Sequence, residues 1–480
     1  MPITTLPIAN GFYLSDSLPI SAQECVNWYP NIVQAPALSQ ETLLGTPGSE
    51  LLATTGVMKQ ENRGAWLLNG VPYFVNGDSL YRLESDLVTM TTIGTITGTG
   101  RVWMADNGTQ LMILVPDTTS AGYIFTTSPD ALVTITDVDF KANGEPQAVR
   151  FIDGYFAVTT DSKKWTVSNL NDGTSWLATD FSSAESDPDD IVAPVVFRNQ
   201  LFIGGSETIE AFQNIGGADF PFQRTGLFID KGIKAPFSVI NSNDTFMFIG
   251  GGKNESPAIW ALAGNSVAKV STTAIDSILQ RFTEAEIKEA FAYSYAQKGA
   301  YFVAFSLPTT TLVFDTITNR WHERKSQVID GLNRTKTIRS RVNSLVSAYG
   351  KVLVGDSQDG RIGSLDPDIY SEYGGSIVRR VATQPFQNNM KPITVPSLEL
   401  TMEAGVGNSE VTDPKIRLDR SLDGKTFKDD RTRSIGKAGQ YGRRTIWRRN
   451  GRASRFEIFR FTLSDSIKPV IIQLTADIQG

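Results

Sequence analysis

The sequence predicts an all-β protein: a β-propeller of about seven blades with a helical insert, followed by a C-terminal antiparallel β-sandwich-like domain. Three observations carry that expectation. Strand and turn formers, among them Thr, Val, Ile, Phe and 41 Gly, outweigh helix formers in the 480 residues. A strand-like unit recurs along most of the chain. After about residue 375 the recurrence gives way to longer alternating apolar–polar stretches.

Residues 1 to about 60 are rich in Pro, Ser, Thr and Asn and show little periodicity. They read as an extended arm lying on other surfaces, with Trp28 and Tyr29 of the turn-rich VNWYPN packed on a neighbouring domain. The propeller is expected over 61–375. Its copies are LNGVPYFV (68–75), DNGTQLMILV (106–115), IDGYFAVTT (152–160), FRNQLFIGG (197–205), SNDTFMFIGG (242–251), QKGAYFVAF (297–305) and AYGKVLVGD (348–356). With Gly70, Gly108, Gly154, Asn199, Asp244, Gly299 and Gly350 as anchors, the spacings are 38, 46, 45, 45, 55 and 51 residues. Seven strand-like copies at this period fit propeller blades, and radial closure hides sheet edges. The short first spacing and the unidentified closing strand leave six or seven blades open, and a large β-sandwich with regular turns is the competing architecture.

The long fifth spacing has a local cause. Ile275, Ile278, Leu279 and Phe282 fall on one helical face. Thr283 and Glu286 then have the spacing of a capping box, starting a second short helix through Phe291. The insert is expected at about 272–293. Residues 376–480 read as a separate basic β domain with strands in 395–404, 414–421, 455–463 and 468–478.

The net charge of −6 is modest, but its distribution is not. Residues 411–460 hold fifteen Lys or Arg against six Asp or Glu, so the remainder of the chain carries −15. Arg443, Arg444, Trp447, Arg448, Arg449 and Arg452 form the densest basic run, with an aromatic inside it, and are the candidate assembly or partner surface. Such a run suits an acidic protein surface or nucleic acid. The single cysteine, Cys25, excludes an internal disulfide, and no apolar run is long enough to suggest a membrane segment. The start of the chain lacks the features of a signal peptide.

Catalytic constellations are missing from the pattern. His322 is the one histidine and sits in a repeat strand, where a structural role is expected. No Cys/His spacing suits zinc, and no phosphate-binding loop occurs; Ile249–Lys253 is glycine-rich but reads as a hairpin turn. Ser421–Phe427 resembles a shortened aspartate box of sialidases, a turn motif. Glu185, Asp187, Asp189 and Asp190 could bind a cation but read as a solvated loop. No enzyme activity, cofactor or metal is expected.

Several longer stretches resemble one family. They are TVSNLNDGTSWLATDFSSAESDPDDI (166–191), TTAIDSILQRF through NRWHER (272–324), VLVGDSQDGRIGSLDPDIYSEYGGSIVRR (352–380) and WRRNGRASRFEIFRFTLSD (447–465). These are similar to the tail-hub proteins of short-tailed bacteriophages (podoviruses), also called packaged-DNA stabilisation or tail nozzle proteins. The resemblance implies a virion tail protein made in the host bacterial cytoplasm. It implies a homo-hexameric ring below the portal and adaptor that continues the DNA channel and retains packaged DNA. It further implies anchoring of the tail needle, tailspikes or fibres, with genomic double-stranded DNA passing without sequence-specific binding. It carries over no catalytic residue. The alternatives from other classes are a propeller that binds or degrades host surface glycans, and a DNA-binding propeller driven by the Arg-rich stretch.

Overall fold

In the computed structural model, which describes residues 3–56, 60–116, 121–184, 189–217, 220–388 and 391–479, every repeat anchor falls at the turn between two paired antiparallel strands. The pairs are Asn62–Leu68 with Val71–Asn76, Trp103–Asp106 with Gln110–Val115, and Pro146–Ile152 with Tyr155–Thr160. Ile191–Phe197 with Gln200–Gly205, Ile240–Ser242 with Thr245–Gly251, Phe291–Gln297 with Ala300–Ser306, and Val342–Ala348 with Lys351–Asp356 complete the set. The local reason is backbone twist. At Lys298 and Gly299 both φ angles are positive, 46° and 81°, as in the two-residue turn that matches the right-handed twist of its strands.

Six blades are built from strands that follow one another in the chain. A seventh is composite: Val342–Ala348, Lys351–Asp356 and Arg361–Asp366 take Gly48–Thr54 as their outer strand. Val342–Ala348 lies beside Asn62–Leu68, and the Asn343 amide donates to the Asn62 carbonyl, which closes the ring. The helical insert lies between the fifth and sixth blades as helices Thr273–Leu279 and Glu284–Lys288, the second carrying the Thr283–Glu286 capping box. That helix stops at Lys288, before Phe291, because Phe291–Gln297 is needed as the inner strand of the sixth blade.

The sandwich uses strands from both parts of the chain. One sheet runs in the order Thr445–Arg448, Ile393–Met402, Val470–Gln479, Glu41–Gly45, Trp28–Ile32, with Ile3–Leu6 also paired to Val470–Gln479. The other runs Cys25–Val26, Arg379–Ala382, Ile458–Leu463, Lys415–Ser421, Lys428–Ser434. The described residues of the first sixty form short strands paired to the rest of the chain, so the expected arm is woven into its own sheets. Individually these strands are too short to leave a periodic signal. Trp28 and Tyr29 are buried, Trp28 in the core shared by the sixth blade and the sandwich, Tyr29 edge-on to Phe302 of the sixth blade.

A backbone ladder and one side-chain amide cross between the two parts, beside the apolar core they share. Val26 pairs in parallel with Glu323, on the outer strand of the sixth blade, and antiparallel with Arg380 of the sandwich, so a single sheet crosses the junction. Asn27 (φ 57°) then departs from strand geometry, and its amide takes over the ladder. Its Nδ2 donates to the carbonyls of Lys325 (2.8 Å) and Val378 (2.9 Å), and its Oδ1 accepts from the Lys325 N–H (3.0 Å).

The centre of the blade ring is occupied by a ladder of alternating cations and rings. Arg150 lies 4.5 Å from the Trp103 ring, and Trp103 stacks on Phe237 at 4.9 Å. Arg101 lies 5.7 Å from Phe237 and 3.6 Å from Phe291, and Arg339 is 5.2 Å from the far partner, Phe291.

His322 is fully buried between Tyr29 and Phe302, with neither ring nitrogen hydrogen-bonded among the described residues. Burial, with the Arg324 guanidinium nearby, pushes its pKa down to about 3, so the imidazole is neutral and serves packing. A folded pKa below the unfolded value means that unfolding takes up a proton between about pH 6.5 and pH 3, and stability is lost as pH falls through that window. The stability difference between wild type and His322→Phe should therefore shift by about 2 kcal/mol in the variant's favour between pH 7 and pH 5, measured by urea unfolding. Asn27→Ala should cost about 2–4 kcal/mol, because buried partners are left unpaired. Asn27→Asp should cost more, since a carboxylate oxygen would face two carbonyls; equal losses for the two variants would refute the hydrogen-bond assignment.

Candidate functional site

The basic run maps to one rim of the sandwich. Thr445–Arg448 is the edge strand of its sheet, and Lys428–Ser434 is the edge strand of the facing sheet. The two edges are joined by side chains. Arg433 Nε donates to the Ile446 carbonyl (3.1 Å), and Arg431 donates to the Arg448 carbonyl (3.2 Å) and to Asn450 Oδ1 (2.8 Å). The guanidiniums thus occupy carbonyls that an incoming strand would otherwise use.

Strand alternation then sorts the candidate residues. Leu398 faces Trp447 across the ladder, and both side chains point into the core. Trp447 is fully buried, donates its indole N–H to the Arg431 carbonyl (2.9 Å) and packs on Phe461. It is therefore not a surface residue, contrary to the expectation from its basic neighbours; the period of two turns it inward. Arg443, Arg444, Arg448, Arg449 and Arg452 are exposed. Arg444 meets Glu399 at 2.8 Å, which raises the arginine's pKa and lowers the carboxylate's, but an ion pair this exposed adds little stability. Among the described residues, no carboxylate pairs with Arg443, Arg448, Arg449 or Arg452. Arg449 sits in a tight turn at φ 60°, its N–H bound to the Pro396 carbonyl, which holds the Arg448–Arg449 pair outward.

The other sequence candidates resolve into turns. Ser421 Oγ accepts the Gly424 N–H (2.9 Å), and Asp423 accepts the N–H groups of Lys425 (2.8 Å) and Thr426 (2.7 Å). Those bonds hold the Asp423 carboxyl down at about 2 and fold the hairpin between Lys415–Ser421 and Lys428–Ser434. Asp189 is turned inward and accepts the N–H groups of Glu207 and Thr208, pinning a blade loop. Glu185 and Asp187 lie outside the described residues. Among the described residues no cluster of His, Cys, Asp and Glu could hold a metal ion, and no helix is long and apolar enough to cross a membrane. Arg431 and Arg433 were absent from the sequence candidates; their alternation with Thr432 in a strand was the available signal.

Comparison with known proteins bears on what this rim belongs to. Residues 4–370 match the family described as bacteriophage P22 Gp10, beta-propeller, and residues 379–479 match bacteriophage P22 Gp10, beta-sandwich. The tail hub protein gp10 of Salmonella phage P22 is 23% identical over 407 residues, covering 81% of each chain. Among solved structures, the WD40 propeller domain of Doa1 is similar with a TM-score of 0.41 at 15% identity, over 67% of this chain and 97% of that one. The N-terminal domain of Nup159 is similar with a TM-score of 0.41 at 11% identity, over 70% and 97%. Likeness at that level carries no argument. The two family matches tile the chain on either side of the junction, and the chain belongs to the bacteriophage P22 Gp10 family, a β-propeller followed by a β-sandwich.

Proposed function

We propose that this chain is the hub of a short phage tail, a structural component of the virion and not an enzyme. The observation that carries the reading is the match of both family parts along the chain, together with a relative named as a tail hub. A glycan-directed propeller is not favoured: the one aspartate-box-like turn belongs to the sandwich, and its carboxylate is spent on backbone N–H groups.

In this reading the parts divide the work. The segment 1–60 locks the propeller of 61–375 to the basic domain of 376–480. Copies form a homo-hexameric ring that docks on a portal and adaptor and anchors needle, spikes or fibres. The narrow centre of each blade ring, lined by the arginine–aromatic ladder, supports a DNA path between subunits, not through a propeller. A mostly acidic body suits a wall past which phosphates slide. The exposed arginines supply the opposite charge on a separate face, and two unlike faces are what a head-to-tail ring needs.

Light scattering of the chain alone and with a portal–adaptor complex tests the proposal; a sixfold ring formed on the complex is expected, and a chain that ignores it would overturn the reading. Reversing Arg448→Glu and Arg449→Glu should weaken ring formation about tenfold or more, with the melting temperature unchanged. If the pair instead leaves assembly intact and abolishes a salt-sensitive affinity for DNA, the rim is a nucleic-acid surface.

A further inference from the structure

The ladder at the propeller centre borders a cavity of about 260 Å³. Arg101 and Arg150 both line it, with Trp103, Phe237 and Phe291 between and around them. Neither guanidinium meets a carboxylate among the described residues. Arg101 gives one N–H to the Asn343 carbonyl (2.5 Å), while its Nε is buried without an acceptor. Arg150 has one hydrogen bond, to the Val149 carbonyl at 3.3 Å. Arg339 adds a third positive charge beside Phe291 and spends its donors on Ser306, Ser340, Val342 and Asn343.

Aromatic faces offset part of the charge, but burying guanidiniums without a counter-ion is costly. Burial pulls Arg101 down to about 9, helped by Arg339, and Arg150 down to about 10, so both still carry charge at neutral pH. The planar N–H forks left open are the groups that bind carboxylate and phosphate oxygens. The volume is below that of drug-sized ligand pockets, so it selects a small guest.

We propose that this cavity is a binding site for one small oxyanion, an inorganic phosphate or a simple carboxylate, held by Arg101, whose Nε has no acceptor among the described residues. The anion offsets the charge of the ladder, to which Arg150 contributes from the far side of the stacked Trp103 and Phe237 rings. The site is independent of the tail-hub reading and of the exposed arginine rim.

Equilibrium dialysis of the full chain with labelled inorganic phosphate, in chloride buffer of fixed ionic strength, tests it. Saturable uptake of one phosphate per chain is expected, weakened tenfold or more in Arg101→Met and accompanied in wild type by a phosphate-dependent rise in melting temperature that the variant lacks. Acetate added as a competitor identifies the source chemistry: displacement of the label assigns a carboxylate-competent site, and retention assigns one that requires phosphate. No saturable uptake by the wild-type chain overturns the proposal without recourse to a variant. Undiminished saturable uptake by Arg101→Met, or by Arg101→Lys should the former fail to fold, overturns it as well.

Discussion

The structure depends on a backbone ladder that does not stop where the propeller ends. Val26 pairs on one side with the outer strand of the sixth blade and on the other with the sandwich, and Asn27 extends the bonding with its side-chain amide. A peptide ladder resists bending because each displaced bond exposes a buried donor and acceptor. The largest apolar cluster follows the same route, from Val303 and Leu312 in the blade through Cys25 and Trp28 to Leu398 and Trp447 in the sandwich. Two units so joined behave as one body, unlike domains connected by a flexible linker. That rigidity sets where the basic rim stands relative to the blades.

Much of this was legible in the sequence, for reasons that can be named. The repeat anchors are turn residues with forced backbone geometry, and such residues announce themselves locally: Lys298-Gly299 and Asn69-Gly70 are examples. The capping box of Thr283 and Glu286 is equally local. The joint was not legible, because Asn27 sits in a stretch that reads as a turn and its partners lie about three hundred residues away. The arginines of the candidate rim are exposed and Trp447 is not, since composition suggested a surface where alternation dictates a core. The ladder of Arg101, Trp103, Arg150, Phe237, Phe291 and Arg339 left no trace, because its members come from connections and inner strands of different blades.

Positive charge has two separate uses in this fold. On the rim, Arg448 and Arg449 project into solvent from a turn, where water screens them and association can use them. At the propeller centre, Arg101 and Arg150 are half-buried and flanked by rings, which lowers the dielectric around their charge. The same residue type thus stands in two environments, and the difference lies in the local dielectric.

The composite seventh blade has a consequence for biosynthesis. Thr55 is bonded to Gly360, 305 residues later, and Thr5 to Gln473, 468 residues later. A nascent chain emerges vectorially, so its early strands wait, unpaired, until the distant partners leave the ribosome. Loop closure over such separations is slow. The ring of blades and the sandwich therefore reach their final form near the end of translation and nearly together. A truncated product lacks the partners for its own first strands, so an unfinished chain cannot complete either the ring of blades or the sandwich.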